Sequence, residues 1–215
     1  MQPVICLVTD RRRLSDGSER GLIEQITAAA RAGVHLIQIR ERDLDARALT
    51  QIAAAAVDAV RGTSARILVN DRTDVALAAG AHGVHLRGDS AAATRVREIV
   101  PPGFLIGRSV HSSEEAQRAA REGGLDYLMF GTVFETASKP GRPAAGPGAL
   151  AAIARGLPLP VLAIGGITIS RMAEVAEAGA AGVAAIGLFG DLPADRLQVV
   201  VRQASLAFDT LSRVP

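Results

Sequence analysis

"VLAIGGITISRMAEVAEAGAAGVAAIG", residues 161–187, reads as strand, helix, strand. Its two ends are short runs of Val, Ile, Leu and Ala closed by glycine, the composition of strands buried on both faces. The middle, "ISRMAEVAEAGA", spaces Met, Val and Ala helically and meets a glycine suited to a left-handed C-cap. Working outward, the same alternation recurs along the chain. Strand candidates are "VICLVT" (4–9), "HLIQIR" (35–40), "RILVN" (66–70), "GVHL" (83–86), "LIGRSV" (105–110) and "YLMFGTV" (127–133), with 161–166 and 182–187 as the last two. Alanine-rich helical runs such as "EQITAAARAG", "ARALTQIAAAAVDAV" and "EEAQRAAREGG" lie between them. Eight β-then-α units are what a (β/α)8 TIM barrel requires. A doubly wound open sheet is the competing architecture. The count of eight and the full final helix, "ADRLQVVVRQASLAFDTL", favour the barrel. No linker or compositional shift divides the chain, so residues 1–215 read as one domain.

Composition narrows the function. The chain is 48% hydrophobic and 3% aromatic with no Trp, so the core is built from Ala, Val, Leu and Ile. A net charge of +2, with arginines scattered apart from "RRR" at 11–13, leaves no basic footprint for nucleic acid, and so few aromatics leave no base-stacking surface. The single cysteine, Cys6, sits in an apolar run and reads as a small buried hydrophobe. "MQPVICLVTD" turns polar too soon for a signal peptide, and no apolar run reaches membrane-spanning length. A cytoplasmic protein without nucleic-acid or membrane partners is expected; the oligomeric state is not legible.

In a barrel, chemistry gathers where strands end and βα loops begin. Gln38, Arg40 and Arg42 alternate along the second strand end and project together as a clamp for phosphate oxygens. Arg42 also stands between Glu41 and Asp43, with which it would pair as an ordinary loop residue. Asn70 and Asp71 close the third strand, where Asp71 is either a Mg²⁺ ligand or a helix N-cap. Asp89 follows the fourth strand, near enough in barrel order to share a cation with Asp71, or to act only as a turn residue. Ser109 and His111 lie at the fifth strand end, suited to phosphate contact or proton transfer. Gly165, Gly166 and, after strand eight, Gly187 offer bare backbone N–H groups for an anion. His35 and His82 precede their strands and belong to the opposite rim as structural or solvated residues. Two anion sites in one mouth imply two phosphorylated substrates being joined, or one ligand phosphorylated at one end.

"QIRERD", "NDRTDVALAAGAHGVHL", "IGRSVHSSEEA", "DYLMFGTVFETASKPG" and "PVLAIGGIT" resemble, in order and over most of the chain, the family of thiamine phosphate synthase and its sister TenI, the thiazole tautomerase. The resemblance implies a synthase that joins hydroxymethylpyrimidine diphosphate to thiazole phosphate and releases pyrophosphate, with Mg²⁺. It carries diphosphate binding onto Gln38, Arg40, Arg42 and Asn70, metal binding onto Asp71, and a substrate contact onto Ser109. It carries phosphate contacts onto Thr136, Ser138 and Lys139, and thiazole-phosphate binding onto Gly165 and Gly166. Three positions depart from the synthase pattern. Arg42 replaces a lysine, Ser90 stands where the second metal aspartate belongs with Asp89 one residue early, and Gly187 replaces a serine. The tautomerase, which needs no metal, is the alternative, but its acid/base histidine is Thr132 here, and His111 would have to substitute. A non-catalytic thiazole-phosphate or thiamine-phosphate binding protein is the third reading.

Lys139 is the only lysine among 24 basic residues. It lies several residues past strand six in a Gly/Pro-rich loop, which lacks the burial a Schiff-base lysine needs. A compact ammonium on a flexible stem there suits a departing pyrophosphate. Replacing it by alanine is expected to weaken phosphate-bearing ligands, measured by calorimetry, while changing unfolding free energy by no more than about 0.5 kcal/mol.

Overall fold

The computed structural model describes residues 3–136, 141, 143–190 and 192–209. Eight parallel strands form a closed barrel in sequence order: β1 (Val4–Val8), β2 (Leu36–Ile39), β3 (Arg66–Asn70), β4 (Gly83–Leu86), β5 (Leu105–Val110), β6 (Tyr127–Phe130), β7 (Val161–Ile164) and β8 (Gly182–Ala185). Each is followed by a helix: α1 (Glu19–Arg31), α2 (Ala46–Ala59), α3 (Thr73–Ala78), α4 (Ala93–Arg97), α5 (Ser113–Glu122), α6 (Gly146–Gly156), α7 (Met172–Glu177) and α8 (Ala194–Asp209). This is the TIM barrel expected from the strand count. Five of the expected strands run past their true ends, because the chain leaves the ladder early to build the mouth loops.

Strand alternation divides the apolar residues into two cores. Ile5, Leu7, Ile37, Ile39, Ile67, Val69, Val84 and Ile106 face the helices, where Leu22, Ile26, Ile52 and Val75 cover them. Cys6, Val8, Leu36, Leu68, Tyr127, Met129, Leu162 and Ala184 fill the bore. So narrow a bore requires some positions to carry no side chain. The Tyr127 ring occupies the place a Cβ at Gly107 would need, and at the closing seam, where Val4 pairs with Gly182, a Cβ on Gly182 would collide with the Val4 backbone. The rear rim is sealed by the two histidines assigned there. His35 Nδ1 accepts from the Ile5 N–H at 3.2 Å and His82 Nδ1 from the Ile67 N–H at 3.0 Å.

Toward the front the bore becomes polar. His85 on β4 is 2% exposed and bridges Tyr127 Oη at 2.9 Å and Ser109 Oγ at 2.8 Å. Burial pushes its pKa down to about 3, so the imidazole is neutral in the native protein. Burial lowers His35 and His82 as well.

Two tests follow from this packing. Gly182→Ala is expected to lower unfolding free energy in urea by about 1–3 kcal/mol, whereas Gly148→Ala in α6, where a Cβ meets open space, stays within about 0.5 kcal/mol of the parent. The second test concerns acid. The unfolded chain binds protons at these imidazoles below the ordinary value of 6.5, and the native chain does so only at lower pH. Stability is therefore complete above that value and erodes as pH falls, by up to about 1.4 kcal/mol per pH unit for His85. His85→Gln should reduce that slope between about pH 6.5 and about pH 4, as read from urea unfolding across the range.

Candidate functional site

The front rim carries three polar clusters. The first is at β2. Gln38 points into the bore, 2% exposed, and its Nε2 donates to Asn70 Oδ1 at 2.9 Å, joining two residues assigned to one site. Its Oε1 is buried and has no partner among the described residues. Arg40, one step further along the same face, is half-buried, and its guanidinium has no hydrogen bond or ion pair among the described residues. Burial first, then repulsion from Arg42, draws its pKa below the ordinary guanidinium value, with Asp10 opposing. A half-buried cation with no counter-ion calls for an anionic group, and the unpartnered acceptor beside it calls for a hydrogen-bond donor, so a ligand carrying both would complete the arrangement. Arg42 lies exposed at the rim, and neither Glu41 nor Asp43 pairs with it.

Arg11 takes those two carboxylates instead. Glu41, 4% exposed, accepts from Thr9 Oγ1 at 2.6 Å, from the Arg11 N–H at 3.1 Å and from Arg11 Nη1 at 3.1 Å. Arg11 also grips Asp43 through two bonds of 2.8 and 2.7 Å, which pulls that carboxyl down to a pKa of about 2. These contacts pin the β1 loop to the β2 loop. They set the whole "RRR" turn on the rim, where Arg12 pairs with Asp10 at 3.1 Å and also repels Arg40, so it adds to the same positive field. Arg13 Nη2 lies 3.5 Å from where a Gly187 Cβ would be. Sequence reading noted this triplet but did not place it; its position directly after the first strand was the signal.

The second cluster joins the β3 and β4 loops. Asp71 has φ 61, the one positive value among the described non-glycine residues. It does not cap α3, which starts after Arg72. Its carboxylate accepts from Ser90 Oγ and lies 3.4 Å from Arg87 Nη1, while Arg87 Nη2 pairs with Asp89. The Arg87 N–H donates back to Ser90 Oγ at 2.9 Å. Asp89 does not cap α4 either. The two carboxylates expected to share a cation do share one, and it is a guanidinium. Mg²⁺ requires near-octahedral oxygen ligation. As built, this pair does not fit a shared ion, because Arg87 lies between the carboxylates. No group of three His, Cys, Asp or Glu that could hold a metal occurs among the described residues.

The third cluster is the glycine pair after β7. Gly165 and Gly166 have φ 97 and 64, and neither N–H donates to an acceptor among the described residues. Phe134 and Thr132 pack where their Cβ atoms would stand, so glycine is required twice. Arg171 braces the loop, donating to the Gly166 carbonyl at 2.8 Å and lying 4.6 Å from the Phe134 ring centre. Adjacent free N–H groups at left-handed residues form a nest for an anion.

The remaining assigned residues are distributed as follows. Ser109 Oγ is held by His85 at the bore's front. His111 is exposed; its N–H donates to Glu115 Oε2 at 2.7 Å and its ring Nδ1 to the Gly131 carbonyl. Thr132 is buried at 9% exposure, in the position where the tautomerase has its histidine. Thr136 is half-buried beyond β6, Gly187 is exposed beyond β8, and Ser138 and Lys139 lie outside the described residues.

Known proteins resemble this chain. The family model for thiamine monophosphate synthase matches residues 5–189. The thiamine-phosphate synthase of Roseiflexus castenholzii is 44% identical over 184 residues, 85% of this chain and 79% of the relative. That of Methanoculleus marisnigri is 46% identical over 159 residues, 74% of this chain and 75% of the relative. Among solved structures, thiamine phosphate pyrophosphorylase from Pyrococcus furiosus aligns with a TM-score of 0.82 at 31% identity, covering 95% of this chain and 96% of its own. A 3-hexulose-6-phosphate synthase, 17% identical with a TM-score of 0.72 over 95% of this chain and 99% of its own, shares the fold alone. With its barrel, the family model and these relatives in agreement, the chain belongs to the thiamine monophosphate synthase family.

Proposed function

We propose that the protein is a thiamine phosphate synthase: it joins hydroxymethylpyrimidine diphosphate to thiazole phosphate and releases pyrophosphate. The observation that carries this reading is the unpaired, half-buried Arg40 beside the buried free Oε1 of Gln38, facing the same mouth as the bare N–H groups of Gly165 and Gly166. One anion site takes the diphosphate and the other the single phosphate, which places the two organic groups together in the mouth.

The chemistry asks for charge stabilisation and positioning. The bond between the pyrimidine methylene carbon and the diphosphate oxygen breaks, and its electron pair leaves with pyrophosphate. The thiazole ring nitrogen then donates its lone pair to that carbon and forms the new C–N bond. Arg40 and Arg42 stabilise charge developing on the leaving oxygen, worth more in an enclosed mouth than in water. Lys139, with Ser138 and Thr136 on the loop after β6, adds a cation to the same phosphates. Gln38 Oε1 accepts from an N–H of the heterocycle, and Ser109, fixed by neutral His85, offers a further contact to substrate. None of these roles needs a general base. The tautomerase does need one, and buried Thr132 occupies that position. Among the described residues no helix is long and apolar enough to cross a membrane; a cytoplasmic location is part of the same proposal and is supported by small water-soluble substrates of this kind.

Incubation with both substrates, with Mg²⁺ in one arm and a chelator in the other, is expected to release pyrophosphate and form thiamine phosphate. Arg40→Ala should reduce kcat/KM for the pyrimidine diphosphate by about 100-fold or more with unchanged circular dichroism. No turnover at high enzyme concentration would reject the synthase; phosphate binding without turnover would place the protein in the binding class.

A further inference from the structure

Position 90 is where the resemblance puts a second metal-binding carboxylate, and this chain has serine there. It also carries an arginine at position 87, the first residue past β4, exposed at the front rim. Arg87, Ser90 and Asp71 close a ring, and Asp89 joins it through Arg87. Arg87 pairs with Asp71 on one side and Asp89 on the other, its own N–H donates to Ser90 Oγ, and Ser90 donates to Asp71.

We propose that Arg87 is the resident cation of this mouth. It takes the place of a divalent ion between Asp71 and Asp89, offsets one of their two charges, and presents its remaining N–H groups to the diphosphate of the substrate. A guanidinium has five N–H donors in a fixed fork, so pairing with two carboxylates leaves donors for a third anion. Asp71 is held for this role on both sides, by Ser90 and by Arg87, and by a backbone conformation that aspartate tolerates better than most residues. With Arg87 in place the three side chains carry one net negative charge rather than two. A divalent ion would have to shed water and displace two ion pairs to bind there. The identity of the diphosphate rests on the synthase reading; the occupation of the carboxylate pair by Arg87 does not.

Two binding measurements on the whole chain test this, and neither requires turnover. The first titrates Mn²⁺ alone and follows it by electron paramagnetic resonance. The parent protein is expected to leave Mn²⁺ free at concentrations where Arg87→Ala, which uncovers both carboxylates, binds it at least about tenfold more tightly. The second titrates inorganic pyrophosphate by calorimetry in the presence of a chelator. The parent is expected to bind, Arg87→Ala to lose about tenfold or more in affinity, and Arg87→Lys, which keeps the charge without the fork, to fall between them. Equal Mn²⁺ binding by parent and Arg87→Ala would overturn the proposal. So would pyrophosphate binding by the parent that depends on added Mg²⁺, or that is unchanged in Arg87→Ala. Both expected results together with absent turnover would reject the synthase and leave the role of Arg87 standing.

Discussion

Eight parallel strands closed on themselves leave a bore that side chains alone must fill, and that constraint decides where polar groups appear. The rear and middle of the bore take Cys6, Leu36, Leu68 and Leu162 with the Tyr127 ring, and Gly107 and Gly83 make room for Tyr127 and Leu68. The front cannot be sealed in this way, because the strands end there and the loops diverge. What lines it must tolerate partial burial while remaining able to bind a ligand. Gln38–Asn70 meets that requirement across neighbouring strands and Tyr127–His85–Ser109 by linking β6, β4 and β5, while Gln38 Oε1 has no partner among the described residues. The neutral state of His85 has the same cause: an imidazole in the bore loses hydration without gaining a carboxylate.

Beyond that polar layer the rim is arranged by charge. Several arginines reach it, and they differ in what holds them. Arg11 is tied to buried Glu41 and to Asp43, so it serves as a clasp between two loops. Removing one partner of such a buried pair leaves an uncompensated charge and costs about 3–5 kcal/mol. Arg12 on Asp10 and Arg87 on Asp89 are more exposed, and solvent screening leaves pairs of that kind little weight in stability. Their value lies in where they hold positive charge. Neither Arg40 nor exposed Arg42 has such a partner among the described residues, and Arg40 is the more buried of the two, beside Gln38. Under the proposed synthase reading, that inner cation is where an incoming phosphate stops.

The architecture was legible because hydrophobic runs and glycine stops repeat eight times. β3, β4 and β5 match their expected bounds to the residue. The overruns fall at the front ends, as in "HLIQIR", where the chain leaves the sheet after Ile39 and the Arg40 N–H turns to Thr9 Oγ1. A run of strand-forming residues does not record that switch of partner. Site residues on one strand face were legible for a similar reason, since alternation alone aligns Gln38 with Arg40. Contacts across strands were not. In "HLRGDS", Asp89 was read as the residue of interest and Arg87 was passed over, because nothing in the order of residues says that the side chain between two acids will fold onto both. Glu41, read as a surface partner of Arg42, is buried instead, because Thr9 and Arg11 approach it from another strand.

The central claim is that this mouth holds two separate anion sites, a guanidinium site at Arg40 and Arg87 and a backbone site at Gly165 and Gly166. A crystal structure of the protein with inorganic pyrophosphate and thiazole phosphate tests it most directly. The account predicts pyrophosphate against the Arg40 and Arg87 guanidinium groups, and the thiazole's phosphate on the two glycine N–H groups. Pyrophosphate seated on the glycines, or both ligands bound outside the front rim, would contradict it.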